Sequence, residues 1–357
     1  MGCCCSANDE EPTLGEHSIL PVDVIPYKGP ILQYAFVDMR VIGTTYMGRN
    51  LKTDLVPHYT AFQEPYTQGF RLVLLKTVPG VFEKLRVQYG MERRYYIPLQ
   101  ASFVRPVGSP ATPTGQVKIV QTAIEFNESV LSTNQENVQA ASEVARLREF
   151  DTVIEENGRE GYQLVSFEPS GYTKKTTNVK ETVLQMDLLF HRSNQSTSGS
   201  FIYQSVIIPV SYTAIGSSPV SRRQIYELST DVTSRLVDIL QQGWKIVDTN
   251  YLSSHLQGQF RPTARTLIFN TMWVFEKPST AVNDLQSRWE CTVIKYKHVV
   301  KFACNRMKAT TTWQPLVVEM GHHGWELACI LDTAEATREG RLGSKQTLLI
   351  VFQRPLR

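Results

Sequence analysis

Gly324-Trp325-Glu326-Leu327 is the fourth occurrence of one short pattern, after Gly69-Phe70-Arg71-Leu72, Gly161-Tyr162-Gln163-Leu164 and Gly243-Trp244-Lys245-Ile246. Its glycines stand 92, 82 and 81 residues apart. So regular a spacing marks internal repetition, which decides the fold before any single motif does. Each glycine follows a stretch of helical character and opens one of strand character, so it is placed to end a helix in the left-handed conformation that only Gly adopts without steric cost. The aromatic and the Leu or Ile stand two apart and share one face of the strand that follows.

Working outward, each repeat closes on a second signature: Phe103-Val104-Arg105-Pro106, Phe190-His191-Arg192-Ser193, Phe275-Glu276-Lys277-Pro278 and Phe352-Gln353-Arg354-Pro355. A strand-like stretch also precedes every helix, near Ile31 to Val41, Val117 to Phe126, Ile202 to Tyr212 and Trp289 to Val300. The helical stripes are Val232, Leu236, Ile239 and Leu240 behind a cap at Ser229 or Thr230, a looser set of Val144, Leu147, Phe150 or Asp151, and Ile154, and Leu316 with Met320 behind Pro315. Pro65, four residues before Gly69, predicts that the first helix ends early.

The predicted fold is α+β, with four tandem β-α-β-β modules over 21–106, 116–193, 200–278 and 287–357 behind a flexible, acylated N-terminal anchor over 1–20. One such unit is too small to bury its sheet face alone, so the modules are expected to pair into antiparallel-sheet/helix sandwiches. Pro106 to Gly115 and His191 to Ser200 read as linkers, and Asn127 to Ala141 as a polar insertion.

At 357 residues, 42% apolar and 20% charged, the chain is a folded protein of more than one unit. A net charge of +3, with Arg93-Arg94 and Lys174-Lys175 as its longest basic clusters, predicts no nucleic-acid binding. No apolar run reaches the roughly 18 residues of a membrane-spanning helix. No Gly-x-Ser-x-Gly, His-Glu-x-x-His or paired Cys-x-x-Cys is present. Gly340-Arg341-Leu342-Gly343-Ser344-Lys345 has the wrong order and spacing for a phosphate loop and reads as a hairpin turn. His322 and His323 sit at a helix end, where they interact with the last carbonyls. The reading is therefore non-catalytic, with no metal and no cofactor. Trp244 and Trp325 read as core, and Cys291, Cys304 and Cys329 as small core residues.

The chain opens Met1-Gly2-Cys3-Cys4-Cys5-Ser6. This matches the N-myristoylation pattern, with Gly2 the acceptor once Met1 is removed. One myristoyl chain holds a membrane only marginally, with a partition constant of roughly 10⁴ M⁻¹, and a second signal is needed. Asp9, Glu10, Glu11 and Glu16 would be repelled by an anionic leaflet, so palmitoylation of Cys3, Cys4 and Cys5 is the expected completion of the anchor.

An acylation-ready start joined to these repeats resembles the raftlin family of raft-linking proteins. The resemblance extends over most of the chain beyond Val22, and is closest at Ile202 to Pro209, Gly243-Trp244, Trp289 to Lys295, Gly324-Trp325-Glu326-Leu327 and Lys345 to Pro355. It implies a lipid-anchored, non-enzymatic protein of membrane rafts, on the cytoplasmic face of the cell membrane. Its partners would be inner-leaflet lipids and receptors or signalling and endocytic proteins. Gly2 and Cys3 match the family's acylated positions, whereas Cys4 and Cys5 are additional. Two rival readings are a lipid or small-ligand module using a groove between units, and an enzyme whose site gathers dispersed groups such as His298, His322 and His323.

Overall fold

The fold was obtained as a computed structural model that describes residues 11–18, 27, 29–46, 50–53, 55–85, 92–112, 115–127, 147–176, 180–194, 199–217, 224–251, 266–281, 289–303, 306–339 and 343–356. Gly2, Cys3, Cys4, Cys5 and Cys304, most of the polar insertion after Asn127, and Gly340 to Leu342 lie outside the described residues.

A short strand β1 (Thr13–Leu14) precedes four segments. The first holds β2 (Leu32–Tyr46), β3 (Asn50–Thr53), a 3₁₀ turn (Val56–Phe62) running into α1 (Gln63–Thr67), β4 (Arg71–Thr77), β5 (Phe82–Lys84) and β6 (Glu92–Pro106). The second holds β7 (Gly115–Asn127), α2 (Arg148–Arg159), β8 (Gln163–Thr176) and β9 (Lys180–Ser193). The third holds β10 (Phe201–Ser217), β11 (Gln224–Leu228), α3 (Val232–Gln241), β12 (Lys245–Tyr251) and β13 (Thr266–Pro278). The fourth holds β14 (Trp289–Ala303), β15 (Arg306–Ala309), β16 (Thr311–Thr312), α4 (Gln314–His322), β17 (Glu326–Glu339) and β18 (Gly343–Pro355). The molecule is thus mixed and strand-rich, its large sheets antiparallel.

Within each segment the first and last long strands pair along their length, and the strand after the helix lies on the far side of the last: β2-β6-β4, β7-β9-β8, β10-β13-β12 and β14-β18-β17. The post-helix strands carry a bulge at the same place, one residue after the Leu or Ile of the repeat, at Val73, Val165, Val247 and Ala328. A bulge bends a strand and re-aims its side chains.

The segments do not pair two by two. Four apolar cores each join consecutive segments: Phe62, Tyr66 and Phe103 with Leu189; Phe150 and Ile154 with Val274; Leu236 and Leu240 with Val351; Leu316 and Met320 with Leu32 and Tyr34. The helices of the second, third and fourth segments lean on β10, β14 and β2, so the last closes back on the first. The post-helix strands β4, β8, β12 and β17 touch in a ring around a common axis. β5–β15 and β3–β8 pairing join the first, second and fourth segments into one twelve-stranded sheet, and the third keeps its own four strands. The expected pair of sandwiches is replaced by this ring because the helices of the second, third and fourth segments pack on the next segment's first strand as well as on their own strands.

Other details differ from the sequence reading. Asp231, not Ser229 or Thr230, caps α3, its carboxylate accepting from the Ser234 N–H at 3.2 Å. Pro65 does not stop its helix; it falls in the first turn of α1, where its missing N–H costs nothing. The stretch from His191 is still strand through Ser193.

Candidate functional site

The repeat signatures build the axis. Gly69, Gly161, Gly243 and Gly324 have φ of 84°, 83°, 87° and 76°, the left-handed geometry of a helix cap. The carbonyl just before the glycine is taken by the cation of the closing signature: Arg105 reaches Gln68 O at 2.6 Å, Lys277 reaches Gln242 O at 2.9 Å and Arg354 reaches His323 O at 3.0 Å. The same cation covers the repeat aromatic, Arg105 at 4.4 Å from the Phe70 ring centre, Arg192 at 5.5 Å from Tyr162 and Arg354 at 4.2 Å from Trp325. Phe70 and Trp325 are buried, and Tyr162 and Trp244 half-buried. The two signatures are thus one device that closes a helix and pins it to the strand after it.

The inner backbone of each post-helix strand is satisfied by side chains. Leu164 N–H donates to the Tyr203 hydroxyl at 2.8 Å, Leu327 N–H to the Tyr34 hydroxyl at 2.7 Å, and Ile246 N–H to the Gln353 side-chain carbonyl at 2.8 Å. Where the tyrosine comes from the next segment's first strand, the helix facing it carries glycine. A Cβ on Gly158 would stand 2.6 Å from Phe201 O, and one on Gly321 would stand 2.8 Å from Leu32 O. In the first segment Tyr66 occupies the equivalent helix position, stacked on His191 at 5.4 Å, and its own hydroxyl faces Leu72 N at 3.4 Å.

The third position of the repeat, Arg71, Gln163, Lys245 and Glu326, converges on the axis with Glu276, Gln353 and His191 from the closing signatures. Arg71 is ion-paired with Glu326; Lys245 Nζ lies 2.9 Å from Glu326 Oε1 and 3.7 Å from Glu276 Oε1; Gln163 donates to Glu276. Burial alone would raise the Glu326 carboxyl, but Arg71 and Lys245 outweigh it and hold the group at about 2. Glu276 is raised, because burial exceeds the pull of a more distant Lys245. Burial lowers the His191 imidazole to about 4, with Arg71 adding to it, so this ring is neutral. Together these groups line a cavity of about 340 Å³ counted to its open mouth. Its enclosed part is filled by side chains to the scale of one or two waters. Glu276 Oε2 and His191 Nδ1 are buried there without a hydrogen-bond partner.

One step deeper lies a second polar layer. Lys76 Nζ is 3.5 Å from Glu168, and Asp248 accepts from the Ser166 hydroxyl at 2.7 Å and the Phe167 N–H at 3.2 Å. Burial lifts Glu168 to about 7 and Asp248 to about 6, with Lys76 opposing both shifts.

The dispersed histidines do not gather. His298 is fully buried, its ring between Pro79 O at 3.2 Å and the Thr311 hydroxyl at 3.3 Å, and burial holds it at about 4. His322 and His323 are exposed beside Glu319 at the end of α4. Cys329 is buried in the core and Cys291 is half-buried. No set of three metal-ligating side chains forms among the described residues.

The segment behind the acylation motif is tied into the body. Thr13 and Leu14 pair in parallel with Thr311 and Thr312, Glu16 O accepts from Lys297 N–H at 2.7 Å, and Ser18 N–H donates to Lys295 O at 3.0 Å. Gly15 N–H meets the Tyr296 hydroxyl at 2.9 Å, and Glu16 pairs with Lys345 at 2.8 Å. No helix among the described residues is long and apolar enough to cross a membrane. No protein-family model, curated protein or solved structure matches the chain.

No constant feature of the repeat marks the axial residues. Their signal in the sequence is the one variable place in an otherwise constant pattern, filled by Arg71, Gln163, Lys245 and Glu326 inside apolar strands.

Proposed function

We propose that this protein is a lipid-anchored, non-catalytic scaffold on the cytoplasmic face of the cell membrane. Acyl chains on Gly2 and on Cys3, Cys4 and Cys5 carry it into ordered, raft-like lipid, where it organises receptors or signalling and endocytic proteins. Its body is four β-α-β-β modules set around one axis.

The observation that supports this reading is that the acylation motif, ending at Ser6, is followed seven residues on by a strap, Thr13 to Ser18, hydrogen-bonded along β14. A free linker would let the body wander. A docked strap instead holds it close to the bilayer in a restricted set of orientations, which raises local concentration for partners confined to the same surface. The axis fits the same role, because its ions pair mainly with one another.

Cell fractionation with myristate and palmitate analogues tests the proposal. Wild type is expected to be labelled and to float with detergent-resistant membrane, and Gly2→Ala and a Cys3/Cys4/Cys5→Ser triple variant are expected in the cytosol. An unlabelled, soluble wild type overturns it. Proximity labelling from the membrane-bound form then identifies the receptor or endocytic partners.

One observation favours a second reading, a small polar ligand at the axial mouth: the unpaired Glu276 Oε2 and His191 Nδ1. Such a ligand would raise the thermal midpoint of wild type and leave Glu276→Gln unmoved.

A further inference from the structure

The strap shows which way the acylated end leaves the body. Thr13–Leu14 runs parallel to Thr311–Thr312, so residues before Thr13 head the way residues before Thr311 come from, toward β15. Independently, the strap lies antiparallel to β14, with Glu16 level with Lys297 and Ser18 with Lys295. Running back from Glu16 therefore means running forward along β14, to Phe302. Both registers send the chain toward the β14–β15 hairpin. Nine residues separate Gly2 from Glu11, a span of at most about 32 Å.

That corner has the chemistry of a bilayer interface. Phe302 is the cross-strand partner of Met307, and Met307 of Phe82, so three apolar side chains stand in line on one face. Phe302 and Phe82 are each 41% exposed. Tyr95 on β6 meets the Phe82 ring edge-on at 5.8 Å. The other face is cationic. Lys301 stands directly opposite Lys308, and Arg306 is opposite Glu83. Arg93 and Arg94 are exposed on the neighbouring start of β6. Arg338 and Glu339, one charge of each sign, stand at the nearby end of β17.

We infer that this corner, the β14–β15 hairpin with β5 and the start of β6, meets an anionic bilayer end-on, so that both faces of the sheet's end reach lipid. Phe82, Met307 and Phe302 enter the headgroup boundary, and Lys301, Lys308 and the arginines meet lipid phosphates and carboxylates. The inference deepens the lipid-anchor reading and rests on it for physiological relevance. It also answers an electrostatic difficulty in the sequence, since Asp9, Glu10 and Glu11 alone would oppose an anionic leaflet.

The test uses the full chain made in bacteria without acylation, sedimented with vesicles of phosphatidylcholine alone or with 30% phosphatidylserine. Wild type is expected to bind only the phosphatidylserine vesicles and to release as salt rises. Each cation at an anionic surface is worth about fivefold, so Lys301→Gln/Lys308→Gln should bind roughly 30-fold more weakly. Phe82→Ser/Phe302→Ser should also lose binding, and Arg159→Gln, exposed on α2, should match wild type. Hydrogen exchange on vesicles should show protection at residues 300–303, 306–309 and 82–84, a readout that does not depend on the variants folding. Failure of wild type to bind, protection elsewhere, or equal binding to RNA and phosphatidylserine overturns the inference. Acyl labelling in cells fails or succeeds separately. A labelled protein whose unacylated form ignores the vesicles keeps its anchor and loses this face, whereas an unlabelled protein that binds them loses the anchor.

Discussion

Glu326→Gln is the sharpest test of the axial network, because the change is nearly isosteric and removes one charge. In the wild type this carboxylate sits between Arg71 and Lys245, 2.9 Å from Lys245 Nζ, with its own side chain 12% exposed. Removing one partner of a buried ion pair costs about 3–5 kcal/mol, because the other charge stays buried without it. The Arg71 side chain is 34% exposed, so solvent screens part of that loss and the lower end applies. A second route gives a similar size. A carboxyl held at about 2 in the fold instead of its ordinary 4.5 stabilises the folded state by roughly 3 kcal/mol at neutral pH. The sign is that of a depressed acid: the contribution is present above pH 4.5 and is lost as pH falls toward 2. Urea titrations of both proteins from pH 7 down to 2.5 check this. The variant should be about 3 kcal/mol less stable at pH 7, with the gap closing as pH falls. A gap below about 1 kcal/mol at pH 7, or one constant with pH, would refute the assignment of Glu326 as the anion that neutralises the axis.

The deeper layer predicts the opposite limb. Glu168 at about 7 and Asp248 at about 6 are raised acids, so their favourable state is present below pH 4 and lost as pH rises through 6 to 7. Thermal midpoints should therefore fall from pH 5 toward 7.5, and Glu168→Gln should flatten that fall. Gly321→Ala puts a methyl 2.8 Å from Leu32 O and against the Tyr34 ring, and should cost about 1–3 kcal/mol by chemical denaturation. Tyr34→Phe strips the Leu327 N–H of its acceptor, with a loss of about 1–3 kcal/mol in the same assay. Arg354→Ala removes both the stack on Trp325 and the bond to His323 O; fraying of α4 should appear in hydrogen exchange before global unfolding does.

The constant positions of the repeat were legible because each obeys a local rule. A glycine after a helical stripe needs left-handed φ, and Gly69, Gly161, Gly243 and Gly324 have it. The antiparallel, mixed character followed from alternating strands and turn residues in the same way. What stayed hidden was how the segments meet. Nothing local in Leu316 or Met320 says that they pack on Leu32 and Tyr34, nearly three hundred residues away. Gly158 and Gly321 gave no signal either, since each is small for the sake of a tyrosine in another segment. The axial charges are hidden for a related reason. Lys245 and Glu326 each look like a solvated strand residue until the ring brings them within 2.9 Å.

The variable positions also explain why this ring belongs to one chain. Four copies of a single segment would bring four identical residues to the axis: four arginines or four glutamates repel, and four glutamines leave no ion pair. Arg71, Gln163, Lys245 and Glu326 with Glu276 instead form a linked set of opposite charges. β14 also links the axis to the Phe302 corner. β14 runs from Trp289, whose ring lies 5.6 Å from Lys245 Nζ beside the axial mouth, to Phe302 at the corner toward which the strap leads. Thirteen residues of strand separate those points, roughly 43 Å. A body lying on lipid through the Phe302 corner would hold the axial mouth at the far end of the same strand. If the proposed bilayer contact holds, the axial mouth faces away from the lipid.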